Sequence, residues 1–156
     1  MAATQYAAAI AFYPSCAIRP RLPKPASTVF MALGEKDDWT GVKHCRELAE
    51  GYSRAGGKTT VKICPDSMQG FDVDPAHYTQ HRLQMAENYS QCTIWVEEDG
   101  KPSFADKRFC AFNDPEMFAE LRETCVTKGA SVGTNPEERK AAVSDLLEFP
   151  DSTIGK

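Results

Sequence analysis

The side chains with the means to do acid–base or covalent chemistry are few in this chain. Three histidines stand at 44, 77 and 81, and six cysteines at 16, 45, 64, 92, 110 and 125. Two adjacent aspartates, Asp37 and Asp38, close the stretch Thr28 to Thr40, which reads TVFMALGEKDDWT. Acyl transfer needs a nucleophile, a base to take its proton, and an acid that holds the base in the right tautomer. Asp37 has the setting of such an acid. An apolar run suited to a strand covered on both faces ends in Gly34, which allows a sharp exit. Function in open α/β sheets collects beyond the carboxyl ends of such strands. Asp38 reads as solvated, with a minor claim to be the working acid, and Trp39 reads as a lid over the acid turn.

The other reactive side chains fit chemistry less well. His77 and His81 lie four apart, the helical spacing of a metal pair, but HYTQH lacks the glutamate of H-E-x-x-H and no third ligand is apparent. A solvated helix face is the plainer reading, with His77 as a stand-in base. The cysteine spacings match no zinc pattern. Neither a metal nor an organic cofactor is expected. Cys64, at the end of a predicted strand, would need a lowered pKa and a neighbouring base to be a nucleophile. Its plainer reading is a small buried hydrophobe.

The elements that must position these groups are legible in outline. Ala7 to Tyr13 reads as a buried strand, and Ser15 to Ser27, punctuated by prolines, as a loop. Thr28 to Leu33 is the second strand. Gly41 to Ala55 follows as a helix with Thr40 as its cap, and Lys58 to Cys64 is a third, edge-like strand. Strand, helix and strand joined by short links predict a parallel βαβ unit. Pro65 to Pro75 reads as a loop, Ala76 to Tyr89 as a helix, and Cys92 to Asp99 as a short strand. Asp114 to Thr127 reads as a helix capped by Asp114, closed by Lys128-Gly129. A last helix runs from Pro136 to Phe149 with Asn135 as its cap and Pro150 as its stop. The expected class is α/β, with a short, mostly parallel sheet flanked by helices.

Composition sets the outer limits. A chain of 156 residues suggests one domain, here 1–150 with a tail at 151–156. A net charge of −4 argues against nucleic acid as a partner, and no apolar stretch is long enough to span a bilayer. The first residues lack the basic region of a signal peptide and read as a strand. The cysteine count suggests disulfides and an exported parent protein, with reduced, buried cysteines as the alternative. Cys16 lies just past the first strand and Cys45 in the first turns of the helix after the second, so adjacent parallel strands bring the two together. Two of Cys92, Cys110 and Cys125 form a second candidate pair.

The order of these motifs resembles the dienelactone hydrolase family of α/β-hydrolases. The matching residues are Phe12-Tyr13-Pro14 closing a strand, Gly34 to Thr40 (GEKDDWT) after the next, Cys45 in the following helix, and Cys64 to Asp72 (CPDSMQGFD) after the third strand. The resemblance covers Ala7 to Asp74 and the last helix, and marks about 76–130 as insertion-like. It implies the C-terminal portion of a larger α/β-hydrolase fold and the hydrolysis of a small ester or lactone. It puts the triad acid at Asp37 and the triad histidine at the position of Gln69, just before Gly70-Phe71. The family's nucleophile turn, G-x-C/S-x-G-G, has no counterpart in the chain, and glutamine has no proton to exchange near neutrality. The rival expectations are a non-catalytic binding module and one half of a complemented enzyme. The first strand would present an open edge. That predicts either self-association into a homodimer or cover by the inserted segment.

Overall fold

The structure is a computed structural model that describes residues 6–76 and 78–154, the last five by their backbone alone. In chain order the elements are β1 (Ala8–Phe12), β2 (Ile18–Pro20), β3 (Thr28–Gly34), α1 (Val42–Arg54), β4 (Thr59–Cys64), β5 (His81–Asn88), β6 (Ile94–Val96), β7 (Pro102–Phe104), β8 (Lys107–Arg108), α2 (Pro115–Thr124), β9 (Thr127–Val132) and α3 (Pro136–Ile154). The class is mixed α and β, with helices and strands interleaved along the chain.

The first sheet is parallel throughout, in the order β1-β3-β4. Alternation along β3 sends its side chains to two different cores. Met31 and Leu33 meet Cys45, Val42 and Leu48 under α1, and Val61 and Ile63 of β4 join them. Phe30 and Ala32 face the other way, onto Ala142 and Phe149 of α3 and Phe71 of the following loop. Both faces of β3 are therefore dry, which is why its run of apolar residues is unbroken.

Residues 76–130 form a strand-rich unit with its own core of Cys92, Ile94, Phe104, Phe109, Met117 and Leu121. A second sheet, β2-β6-β7-β8, includes one strand from outside this segment. β2 pairs in parallel with β6, Ile18 facing Ile94. The long antiparallel pair β5–β9 brackets the unit, with a register shift between Leu83 and Glu87. Among the described residues nothing pairs with the outer edge of β1, so the inserted segment does not cover it.

Several expectations are corrected here. Ala76 to Tyr89 is not a helix: residues 81–88 form β5, because pairing with β9 overrides the helix-favouring Leu83, Gln84, Met85, Ala86 and Glu87. Lys128-Gly129 lies inside β9 rather than closing a helix, and α2 ends at Thr124. The proline-punctuated connector holds a strand, β2, with Pro20 at its end. The sheets are mostly parallel only in β1-β3-β4, since the inserted unit adds antiparallel pairings. Pro150 does not stop α3, which continues to Ile154. Thr40 is not the cap of α1: Gly41, at φ 70°, precedes the helix with no side-chain cap. The cap by Asp114 is present, its carboxylate accepting from the Glu116 N–H, and Asn135 accepts from the Glu138 N–H.

Two disulfides join the elements. Cys16–Cys45 ties the end of β1 to α1, and Cys92–Cys125 ties β6 to the end of α2. They close loops of 29 and 33 residues. On the chain-entropy account each contributes about 3.5–4 kcal/mol. Urea unfolding of Cys92→Ala/Cys125→Ala is expected to show a loss of that size, further lowered by a reductant that also opens Cys16–Cys45. A loss below about 1 kcal/mol would mean that the unfolded chain is not constrained by the bridge.

Candidate functional site

Asp37 stands at the carboxyl end of β3 and is 8% exposed. Its Oδ1 accepts from the backbone N–H groups of Trp39 (2.9 Å) and Thr40 (2.9 Å), and its Oδ2 accepts from the Thr40 hydroxyl (2.6 Å). This is an Asx-type turn, in which an aspartate satisfies the donors just after itself. The Thr40 hydroxyl also lies 3.1 Å from Oε1 of Gln69. A hydroxyl has one proton, and the shorter contact commits it to Asp37. The oxygen and nitrogen of an amide are assigned from the network, and with the amide turned over Gln69 donates to Thr40. Gln69, Thr40 and Asp37 then form one polar chain.

The two loops that carry these residues are pinned together. Ser67 O accepts from Lys36 N–H (2.8 Å), and Cys64 O accepts from Glu35 N–H (3.0 Å). A Cβ on Gly34 would stand 2.5 Å from Ser67 O, so this approach requires a glycine. Gln69 O accepts from Gly133 N–H (3.0 Å), which ties the same loop to the end of β9. Tyr13 donates to Asp72 (2.7 Å) and packs edge-on against Phe71. Burial, and then the hydrogen bond to Asp72, push the Tyr13 phenol well above its ordinary range.

The inserted unit holds the acid turn from the other side. The Trp39 indole N–H donates to Glu87 O (3.0 Å), and the Asn88 amide donates to Asp38 O (2.7 Å). Asp38 itself is not simply solvated. Its carboxylate accepts from the Ser131 N–H (2.6 Å), the Ser131 hydroxyl (3.0 Å) and Arg82 (3.0 Å). Gly129 lets Arg82 lie across β9, since a Cβ there would meet its guanidinium at 2.6 Å. These contacts use Asp38 as a fastener between the turn and the β5–β9 pair.

Among the described residues, Cys64, His81 and Cys110 make no hydrogen bond to Asp37. Cys64 is fully buried among Phe30, Ala32 and Phe71, and burial pushes its thiol up to about 11, the reverse of what a nucleophile needs. His81 is exposed at the start of β5, with Nδ1 2.8 Å from Thr79 O. Residues 81–88 form a strand, so the helix predicted over Ala76 to Tyr89, on which the metal-pair spacing relied, is not present there. His77 lies outside the described residues, as does any partnership it forms. Cys110 is free and exposed.

Sequence reasoning missed His44. A cleft of about 300 Å³ beside Asp37 and Asp38 is lined also by Gly41, Lys43, His44 and Ser90. The His44 ring is buried, with Nδ1 2.9 Å from Arg19, a group that only donates, and Nε2 3.0 Å from Ser90 O. That geometry requires the Nε2–H tautomer and leaves neither nitrogen free to act as a base. Arg19 is held in turn by Glu47 at 2.7 Å. The signal for this set was a lone histidine in a predicted helix, too common to single out. Sequence reasoning also took Thr40 as a helix cap and missed its pairing with Asp37; an aspartate three residues before a threonine was the signal that could have found it.

No family model matches the chain, and no curated protein or solved structure is matched either.

The Asp38 clamp carries a pH dependence. Burial raises the pKa of this carboxyl, but the Ser131 and Arg82 hydrogen bonds outweigh burial and hold it below its ordinary 3.8. Glu87 is held down to about 2 by Tyr89 and then Arg122. Depressed folded-state values mean that the unfolded chain takes up protons first as pH falls. The clamps therefore stabilise fully above about pH 5, and their contribution is lost between there and about pH 2. Asp38→Asn should lower the urea midpoint at pH 6 and leave it near wild type at pH 2.5. An equal drop at both values would show that the charge does not matter.

Proposed function

We propose that the chain is a dienelactone hydrolase-type protein, related to the α/β-hydrolases, whose ancestral reaction is hydrolysis of a small carboxylic ester or lactone. Of the three groups that reaction needs, this chain retains the acid position, Asp37. The observation that carries the reading is the Thr40 hydroxyl, which lies 2.6 Å from Asp37 and 3.1 Å from Gln69. The two positions assigned by resemblance to acid and base are therefore neighbours, although they are far apart in sequence. The parallel β1-β3-β4 sheet with a helix on each face also fits the α/β-hydrolase pattern.

In such a site the acid orients the base and stabilises its charged form, while the base takes a proton from the nucleophile. Gln69 has neither lone-pair basicity nor a titrating proton, so it holds the loop instead. Cys64 is too buried and too weakly acidic to replace the nucleophile. The chain alone therefore does not turn over esters. The second reading, a binding or interaction module, is favoured by the outer edge of β1, which no strand among the described residues pairs with.

Gln69→His tests the assignment. An imidazole at this position, one hydroxyl from a buried carboxylate, should titrate above the ordinary value of about 6.5, and adding Asp37→Asn should bring it back down. An imidazole indifferent to Asp37→Asn would contradict the pairing. With a small chromogenic ester, the wild-type chain is expected to show background hydrolysis only. Turnover that Asp37→Asn abolishes would overturn the claim that the chain is inactive by itself.

A further inference from the structure

Asn88-Tyr89-Ser90, at the end of β5, has the form N-x-S/T with a middle residue other than proline. That is the acceptor sequence for asparagine-linked glycosylation. The other asparagines, Asn113 and Asn135, lack it, since they begin Asn-Asp-Pro and Asn-Pro-Glu. The two disulfides form and persist in oxidising compartments, the setting in which such glycans are attached. A glycan is bulky and polar, and an acceptor asparagine ordinarily stands on a surface loop. Asn88 does not: it is 5% exposed.

Its amide is fully engaged. Nδ2 donates to Asp38 O at 2.7 Å and to Gly129 O at 3.0 Å, while Oδ1 accepts from the Ser90 N–H at 2.9 Å. Turned over, the amide would set its oxygen against two carbonyls, so only this orientation fits. Both Nδ2 protons therefore point at carbonyl oxygens, and a sugar carbon in place of either would collide with one. The Cys92–Cys125 bridge helps to build this enclosure. Cys92 lies four residues after Asn88, and Cys125 two residues before Thr127, which pairs with Asn88 in the β5–β9 ladder. Closing the bridge sets the start of β9 against the end of β5.

We propose that Asn88 is a glycan acceptor only while the chain is unfolded, and that docking of the β5–β9 pair onto the acid turn masks it. The transfer forms a bond from Nδ2 to C1 of the sugar. The bond from C1 to the diphosphate of a lipid-linked oligosaccharide breaks, its electron pair leaves with the diphosphate, and one Nδ2 proton is released. The two events exclude each other. A glycan attached first removes a proton that Asp38 O or Gly129 O needs and holds the β5–β9 pair off the turn. Folding completed first hides the amide. The proposal does not depend on the hydrolase reading.

Transfer to the full chain in vitro tests it, with a eukaryotic oligosaccharyltransferase and a lipid-linked oligosaccharide. Mass spectrometry after peptide N-glycosidase, which leaves an aspartate at each used site, gives the readout. The chain with its cysteines reversibly blocked as mixed disulfides should be modified at Asn88 about tenfold or more faster than the oxidised, folded chain. Ser90→Ala should abolish that transfer. A folded chain modified as fast as the blocked one would overturn the proposal, and so would a blocked chain that takes no glycan. The glycosylated chain is then unblocked and oxidised. Its Ser131 amide, which bonds Asp38 in the closed fold, should exchange rapidly, whereas an unmodified chain taken through the same steps regains slow exchange. Slow exchange at Ser131 with the glycan in place would overturn the claim that the two exclude each other.

Discussion

The carboxylate of Asp37 is almost wholly withdrawn from solvent, and it avoids the cost of burial by accepting from two backbone N–H groups and a hydroxyl. Those bonds decide the path of the chain between β3 and α1. They fold the backbone back on itself, put Trp39 and Asp38 within reach of the β5–β9 pair, and present Thr40 to Gln69. This turn is one of several places where the parallel sheet meets the inserted unit, beside the β2–β6 pairing and the His44–Ser90 contact. If Asp37 released its donors, Trp39, Asp38 and Thr40 would lose their positions together.

The inserted unit has its own apolar core and its own disulfide, yet it is not independent of the sheet. β2 lends it a strand, and Asn88 and Ser131 lend hydrogen bonds back to the acid turn. Among the described residues the apolar side chains gather into three small cores, joined by polar fasteners. Small cores supply limited stability, which gives weight to two disulfides that each close a loop of about thirty residues.

What could be read from the sequence follows from where the information is local. The βαβ unit was legible because β3 is an unbroken apolar run and α1 shows a clean apolar face, and the Cys16–Cys45 bridge followed from their adjacency. Asp114 and Asn135 announced their caps by type and position. The β5 strand was not legible. His81 to Asn88 lacks the alternation of a half-buried strand, and its conformation comes from β9, about forty residues away. β2 was hidden for the same reason, since its partner β6 lies far along the chain. At the site, the setting of Asp37 was visible as a turn, and Gln69 only through a family resemblance. The roles of Thr40, His44 and Asp38 depend on partners brought in by the fold.

The claim on which the account rests is that Asp37 holds the turn through its own carboxylate. Amide hydrogen exchange reads this residue by residue. In the wild type, the Trp39 and Thr40 amides should be protected. Asp37→Ala should speed their exchange by roughly 10- to 100-fold, in line with about 1–3 kcal/mol for a buried donor left unpaired, while Phe30 to Leu33 in β3 keep their protection. Unchanged exchange at Trp39 and Thr40, or an equal loss across β3, would contradict it.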